Sequence, residues 1–324
     1  MVEPICHRFC GSVRNESAIY YTDGEKLKMS QYTFIHNYKH ITEYRRSFNR
    51  LAHSVFGIDF EAWYARGCWD DRYVCYSFHD GRDVIANVSV THMDYMLEGM
   101  PYKALQIGTV MTHPDARNLG LSRQLLEKIL SDHEQEYDFI YLFANPDVLQ
   151  FYPKFGFVPV RETSYYVRYL HGKTGQNAAR KLNIDEAAEW ELIVQKAAAR
   201  IPVSRRCGAV HAESILLWYC MNIFSDHIYY IDDCDAVVIA EHREQELHVY
   251  DVIAERKLSL DEWLHHLADL FAAEGEYRVI FHFTPDFDDI RPVSYEWDQP
   301  DTLFVKTDHV SLPAGIRFPM TAQA

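Results

Sequence analysis

KALQIGTVMTHPDARNLGLSRQLLEKIL, residues 103–130, decides how the rest of the chain is read. Lys103–Thr112 reads as a strand, and Leu119–Ile129 as an amphipathic helix with apolar residues at Leu119, Leu121, Leu125, Leu126, Ile129 and Leu130. The loop between them ends in Arg117-Asn118-Leu119-Gly120-Leu121-Ser122. A strand that feeds a helix through such a loop aims several unpaired N–H groups at one spot, where the helix dipole adds about half a positive charge. The result is an anion site suited to a pyrophosphate. Gly120 lets a phosphate approach the backbone, Ser122 adds a hydroxyl donor, and Arg117 and Arg123 supply charge.

The next segment adds an independent landmark. Asp138–Ala144 (DFIYLFA) is a short apolar strand, followed by Asn145, by Tyr152 seven residues later, and by Gly156-Phe157. The first stretch resembles motif A of the GNAT acyl-CoA N-acyltransferases, [R/Q]-x-x-G-x-[G/A], with Ser122 in place of the final Gly or Ala. The second resembles motif B of the same family, with all four landmarks at the expected spacing.

The resemblance implies an α/β (α+β) fold and acetyl-CoA as co-substrate, with no metal. It implies that Val110, Met111 and Thr112 pair their backbone with the pantetheine arm and polarise the thioester carbonyl. Arg117, Asn118, Leu119, Gly120, Leu121, Ser122 and Arg123 would hold the pyrophosphate. Asn145 would hold pantetheine or cap the helix that follows. Tyr152 would give a proton to the departing CoA sulfur, a role for which a phenol with a pKa near 10 is matched; the alternative is a core aromatic beside Phe151 and Phe155. No acid lies on Leu105–Thr112, where family members often carry a base, and His92, Asp94 and His113 are nearby in the expected topology.

At 324 residues, 48% hydrophobic and 24% charged, the chain is long enough for two globular domains. No apolar run reaches the ~18 residues of a membrane span, and no secretory signal opens it, so a cytoplasmic protein without a membrane partner is expected. Seven scattered cysteines fit thiols better than a disulfide framework. Cys6, His7 and Cys10 lack two further ligands at zinc spacing. Residues 1–170 carry 18 Lys+Arg against 21 Asp+Glu, net −3, and residues 171–324 carry 14 against 26, net −12. Such a charge repels nucleic acid, which is not an expected partner.

Residues 1–28 show no periodicity and read as a weakly ordered extension or an addition ahead of a natural start at Met29. From 29 to 170 the pattern gives strand, two helices, three antiparallel strands, helix, strand, short helix, and a last strand over Val158–Leu170. The aromatic face of the second helix, Phe60, Trp63, Tyr64 and Trp69, reads as core or as a groove wall. Residues 171–324 repeat that order, so two GNAT-like domains are expected, each a mixed, mostly antiparallel twisted sheet flanked by helices. The second is expected to be non-catalytic. Its strand-to-helix corner, Glu255–Glu262, has no glycine and carries Asp261 and Glu262, and no Tyr or Gly-Phe follows Phe283-Thr284-Pro285-Asp286 at the required spacing.

The expected activity is N-acetyl transfer to a primary amine, with a transferase for a longer acyl group or a non-catalytic acyl-CoA-binding regulator as alternatives. Asp232, Asp233, Asp235, Asp286, Asp288 and Asp289 could attract a cationic amine, and a small polar or multiply charged amine is expected as acceptor in preference to a protein lysine or a nucleic acid. The sequence does not fix the oligomeric state.

Overall fold

The structure, a computed structural model, describes residues 32–172, 179–271, 275–295 and 301–324. The expectations for residues 1–28, including Cys6, His7 and Cys10, lie outside the described residues.

The first half runs β1 (Thr33–His36), α1 (Thr42–Phe56), α2 (Glu61–Ala65), β2 (Tyr73–His79), β3 (Val84–Leu97), β4 (Met100–Thr112), α3 (Leu121–His133), β5 (Phe139–Ala144), β6 (Val158–Val160) and β7 (Ser164–His171). The second runs β8 (Ala179–Lys181), α4 (Ala187–Ala199), β9 (Cys207–Val210), α5 (Glu213–Asn222), β10 (Ile228–Ile231), β11 (Ala236–Arg243), β12 (Glu246–Ile253), α6 (Asp261–Leu270), β13 (Gly275–Phe281), β14 (Val293–Tyr295) and β15 (Thr302–Lys306). Among these described residues no helix is long and apolar enough to cross a membrane.

α1 and α3 form where their apolar residues share one face. α1 buries Phe48, Leu51 and Ala52, and Gly57 closes it in the left-handed conformation with its N–H on His53 O. α3 buries Leu121, Leu125, Leu126, Ile129 and Leu130. The aromatic residues beside α2 are core: Trp63, Phe60 and Trp69 are buried among one another.

Two sheets result, with orders β1-β2-β3-β4-β5-β15-β6 and β8-β10-β11-β12-β13-β7-β14. Position by position, both have a long antiparallel run, then one parallel pair, β4–β5 in the first and β12–β13 in the second. They match the expected pair of mixed, mostly antiparallel sheets. α3 packs on the outer face of the first sheet and α6 on that of the second. Between the sheets lies one continuous core that takes Tyr73 and Tyr141 from the first, Val237 and Ile253 from the second, and Phe48, Ile193, Ile215 and Phe318 from α1, α4, α5 and the closing segment.

The sheets do not divide at residue 170. The sequence pattern of Val158–Leu170 suggests one strand closing the first domain, but the chain breaks it into β6, at the edge of the first sheet, and β7, which pairs with β13 and β14 in the second. The vacated place between β5 and β6 is taken by β15 of the second half, with Phe304 opposite Leu142 and Pro159. Each half thus donates a strand to the other's sheet. In addition, β9 pairs with the end of β3. A domain boundary at residue 170 is therefore replaced by a reciprocal exchange: period-two alternation marks a strand but does not say which edge it joins.

Exchange makes the halves interdependent. Cutting the chain between residues 172 and 179 should give two fragments that co-purify and melt together, while the first fragment alone lacks a cooperative melt. A cooperative thermal transition in the isolated first fragment would contradict the exchange.

Candidate active site

β4 and β5 pair only at Ala104–Phe139, Leu105–Ile140 and Gln106–Tyr141. Beyond that point β4 continues to Thr112 and β5 to Ala144, where the other edge of β5 is held by Thr302. A wedge opens between the two strands at the end where α3 begins. Within it β4 bulges: Gly108 faces Ser89 and Met111 faces Asn87, so Thr109 and Val110 together oppose Val88.

At the head of α3, Gly120 is the N-terminal boundary residue at φ 75°, and Asn118 is also left-handed at φ 63°. A side chain on Gly120 would be strained by the backbone alone; its Cβ would meet only Gln124 Nε2, 3.8 Å away, so there is room in front of the backbone. Arg117, Asn118 and Leu119 are exposed around this opening, while Leu121 is buried and anchors the first turn. Two expected donors are engaged elsewhere. Ser122 Oγ lies 2.7 Å from Thr112 Oγ1, tying the helix to the end of β4, and Arg123 pairs with Glu127 one turn on. Val110 and Thr112 are half-buried along the wedge, and Met111 is buried.

Asn145, exposed at the end of β5, accepts a hydrogen bond from Asp147 N at 3.1 Å, the capping alternative. Tyr152 opens a short turn of 3₁₀ helix and is only 4% exposed, with ring centroids of Phe151 at 5.2 Å, Phe304 at 5.9 Å and Phe157 at 6.2 Å. One wall of its pocket is therefore the exchanged strand β15. Burial pushes its phenol up to about 12, so it is held protonated at neutral pH.

The other nearby groups are engaged in local structure. His113 accepts from Asp115 N, His92 Nδ1 meets the Tyr137 hydroxyl, and Asp94 lies 2.8 Å from His211 Nδ1 and 3.6 Å from Arg72. The closing segment, residues 317–324 (RFPMTAQA), reads in the sequence as a docked tail, and it is docked, with Arg317 N donating to Thr284 Oγ1 at 2.6 Å. It reaches back so that a Cβ at Gly108 would lie 2.5 Å from Ala324 O, and the absence of a side chain there is what admits it.

Residues 37–160 match the family model described as an acetyltransferase (GNAT) domain. This part of the chain is a GNAT domain. A stretch of 53 residues is 42% identical to the uncharacterized N-acetyltransferase ycf52 of Porphyra purpurea, and equally to that of Pyropia yezoensis, covering 16% of this chain and 30% of theirs. The match thus spans under a third of those relatives' length. A protein of unknown function from Enterococcus faecalis V583, described as a probable N-acyltransferase, shares the fold with a TM-score of 0.53 at 13% identity, over 85% of this chain and 72% of that one.

The second sheet repeats the wedge of the first and fills it. β12 carries a bulge at Tyr250 and runs on past its pairing with β13. There Met320 N donates to His282 O, and the Thr321 hydroxyl donates to the buried Asp251, which the half-buried Arg200 grips through both oxygens at 2.6 and 2.8 Å. The closing segment thereby bridges the parted ends of β12 and β13. At the head of α6, Asp289 accepts from Leu260 N at 3.0 Å and Asp261 N at 3.4 Å, and Glu262 accepts from Ser259 N at 2.7 Å. Carboxylates of the chain itself thus occupy the anion position. Four of the other acids are also engaged: Asp286 with Arg205 N, Asp288 with Lys257, Asp235 with Lys196 and Asp233 with His266, while Asp232 is exposed beside them.

If Asp289 is the internal anion of α6, Asp289→Ala should lower unfolding free energy by about 1 kcal/mol, the value of a helix cap. Urea denaturation with an unchanged midpoint would remove that role.

Proposed function

We propose that the chain is an N-acetyltransferase that moves an acetyl group from acetyl-CoA to a primary amine. The observation that supports this best is the open wedge between β4 and β5, which leads directly to the glycine-headed N-terminus of α3. Anionic groups are favoured at such a terminus, and the clear space before Gly120 fits a pyrophosphate.

Bound acetyl-CoA supplies a thioester whose carbonyl carbon accepts the amine nitrogen while the C–S bond breaks. The loop from Arg117 to Gly120 binds the pyrophosphate through backbone N–H groups and the Arg117 charge. The bulged strand from Thr109 to Thr112 aligns the arm and faces the carbonyl oxygen with backbone N–H. Tyr152, kept protonated by burial, gives its proton to the leaving sulfur, and the proton lost by the amine passes to solvent. The second sheet takes no substrate and completes the first by donating β15.

For the acceptor we favour a small polar amine. Its support is the net charge of −12 on residues 171–324, since most of the acidic residues at the α6 and β10–β11 ends, Asp232 apart, are engaged in local pairs and caps.

Gly120→Val should abolish acetyl-CoA binding in calorimetry while a cooperative melt is retained, because the branched side chain fills the phosphate position. Unchanged affinity would remove the cofactor assignment. Tyr152→Phe should lower kcat by roughly ten- to a thousandfold with little change in acetyl-CoA affinity, the pattern of a lost general acid. An unaltered kcat would return Tyr152 to the core.

A further inference from the structure

Beneath the β4 bulge lies a chain of buried polar groups that the activity described so far does not use. Tyr38, Tyr73, Ser77, Asn87 and Ser89 are each no more than 2% exposed. The Tyr38 hydroxyl lies 2.6 Å from Ser77 Oγ, and Ser77 Oγ donates to Asn87 Oδ1 at 2.8 Å. Ser77 has spent its one hydrogen on Asn87, so Tyr38 is the donor to Ser77. Asn87 Nδ2 then donates twice, to Ser89 Oγ and to the backbone oxygen of Thr109, both at 2.9 Å. Ser89 passes its hydrogen to Cys75 Sγ at 3.6 Å. Every hydrogen-bonding atom of the Asn87 amide is used, and the Thr109 carbonyl fixes its orientation: turned over, the amide oxygen would face another oxygen that can only accept. On the same face of the sheet, the Tyr73 hydroxyl meets Thr109 Oγ1 at 2.6 Å.

All of this converges on one residue in an unfavourable conformation. Thr109 has φ 47°, in the left-handed region where a β-branched residue is an outlier. Such a conformation persists only where its surroundings over-determine it. Here the side chain is held by Tyr73 and the carbonyl by Asn87. The carbonyl is thereby turned inward to Asn87, and the following peptide, which carries the Val110 N–H, is fixed with it. Burial also pushes the Tyr38 and Tyr73 phenols up, so both stay protonated as donors.

We propose that Tyr73 and Asn87 are positioning residues for acyl transfer: they lock Thr109 in its left-handed conformation and so orient the Val110 N–H toward the thioester carbonyl in the wedge. The inference rests on the acetyl-CoA reading above. A bulge needed only to end strand pairing would be served by glycine, which adopts this conformation without strain. The strained threonine, gripped at both its oxygens, trades ease of folding for a fixed orientation.

The test uses acetyl-CoA labelled with ¹³C at the thioester carbonyl, followed by infrared difference spectroscopy on the full chain, beside CoA release with a panel of amines. In the wild type the bound carbonyl band should shift to lower frequency, the signature of a hydrogen bond to its oxygen. Thr109→Gly removes the side-chain anchor and relieves the strain. It should keep or raise the melting temperature and keep acetyl-CoA affinity within about threefold, yet lose the band shift and slow CoA release about ten- to a hundredfold. Tyr73→Phe should act in the same direction, and Thr109→Ser, which keeps the hydroxyl, should restore the shift. Retention of the wild-type band in both Thr109→Gly and Tyr73→Phe would overturn the proposal, as would a loss of activity that only tracks a fall in melting temperature. Failure of the wild type to bind acetyl-CoA would instead overturn the reading on which it rests.

Discussion

The antiparallel ladder that inserts β15 between β5 and β6 is the contact on which the other features depend. Without it, β5 has no partner on the side away from β4, β6 has no neighbour, and Tyr152 loses the Phe304 wall of its pocket. The matching insertion of β7 beside β13 binds the second half equally. Two sheets joined by exchanged strands bury a core between them that belongs to neither alone, with residues of both sheets and of α1, α4 and α5 in contact. The site in the first half is thus built partly from residues more than a hundred positions away in sequence.

The same fold, used twice, shows how little separates a binding wedge from a filled one. Both sheets part after a parallel pair, both carry a bulge in the fourth strand of the order, and both place a helix N-terminus at the opening. In the first, Gly120 leaves the helix head clear. In the second, Asp289 and Glu262 supply the anions, and residues Arg317–Thr321 bridge the gap between β12 and β13. A helix N-terminus must be satisfied by something, and whether that is a carboxylate of the chain or a ligand decides whether the wedge can bind.

Much of this was readable in the sequence because it is local. The strand-loop-helix corner at Gly120 and the spacing from Asn145 to Tyr152 and Gly156-Phe157 are set by residues within one or two turns of one another, as are the acids at Asp261 and Glu262. The repeated element order gave both sheets. What escaped depends on distant partners. β8 and β14 are three residues each and β9 is four, too short to show a period. The destinations of β7 and β15 are not written in their alternation, which is the same whichever sheet they join. No propensity places a threonine in the left-handed region at position 109; only Tyr73 and Asn87, 36 and 22 positions earlier, make it stable there. Ser122 and Asn145 carried the right chemistry for ligand contacts, but the Thr112 hydroxyl and Asp147 N–H compete for them within the chain.

The central claim is that of two wedges with one geometry, only the one headed by Gly120 takes a ligand. Calorimetric titration of the full chain with acetyl-CoA measures this directly. One equivalent bound per chain, lost in Gly120→Val and retained when Asp289 is changed to alanine, is the expected result. Two equivalents per chain, or one that survives Gly120→Val, would contradict it.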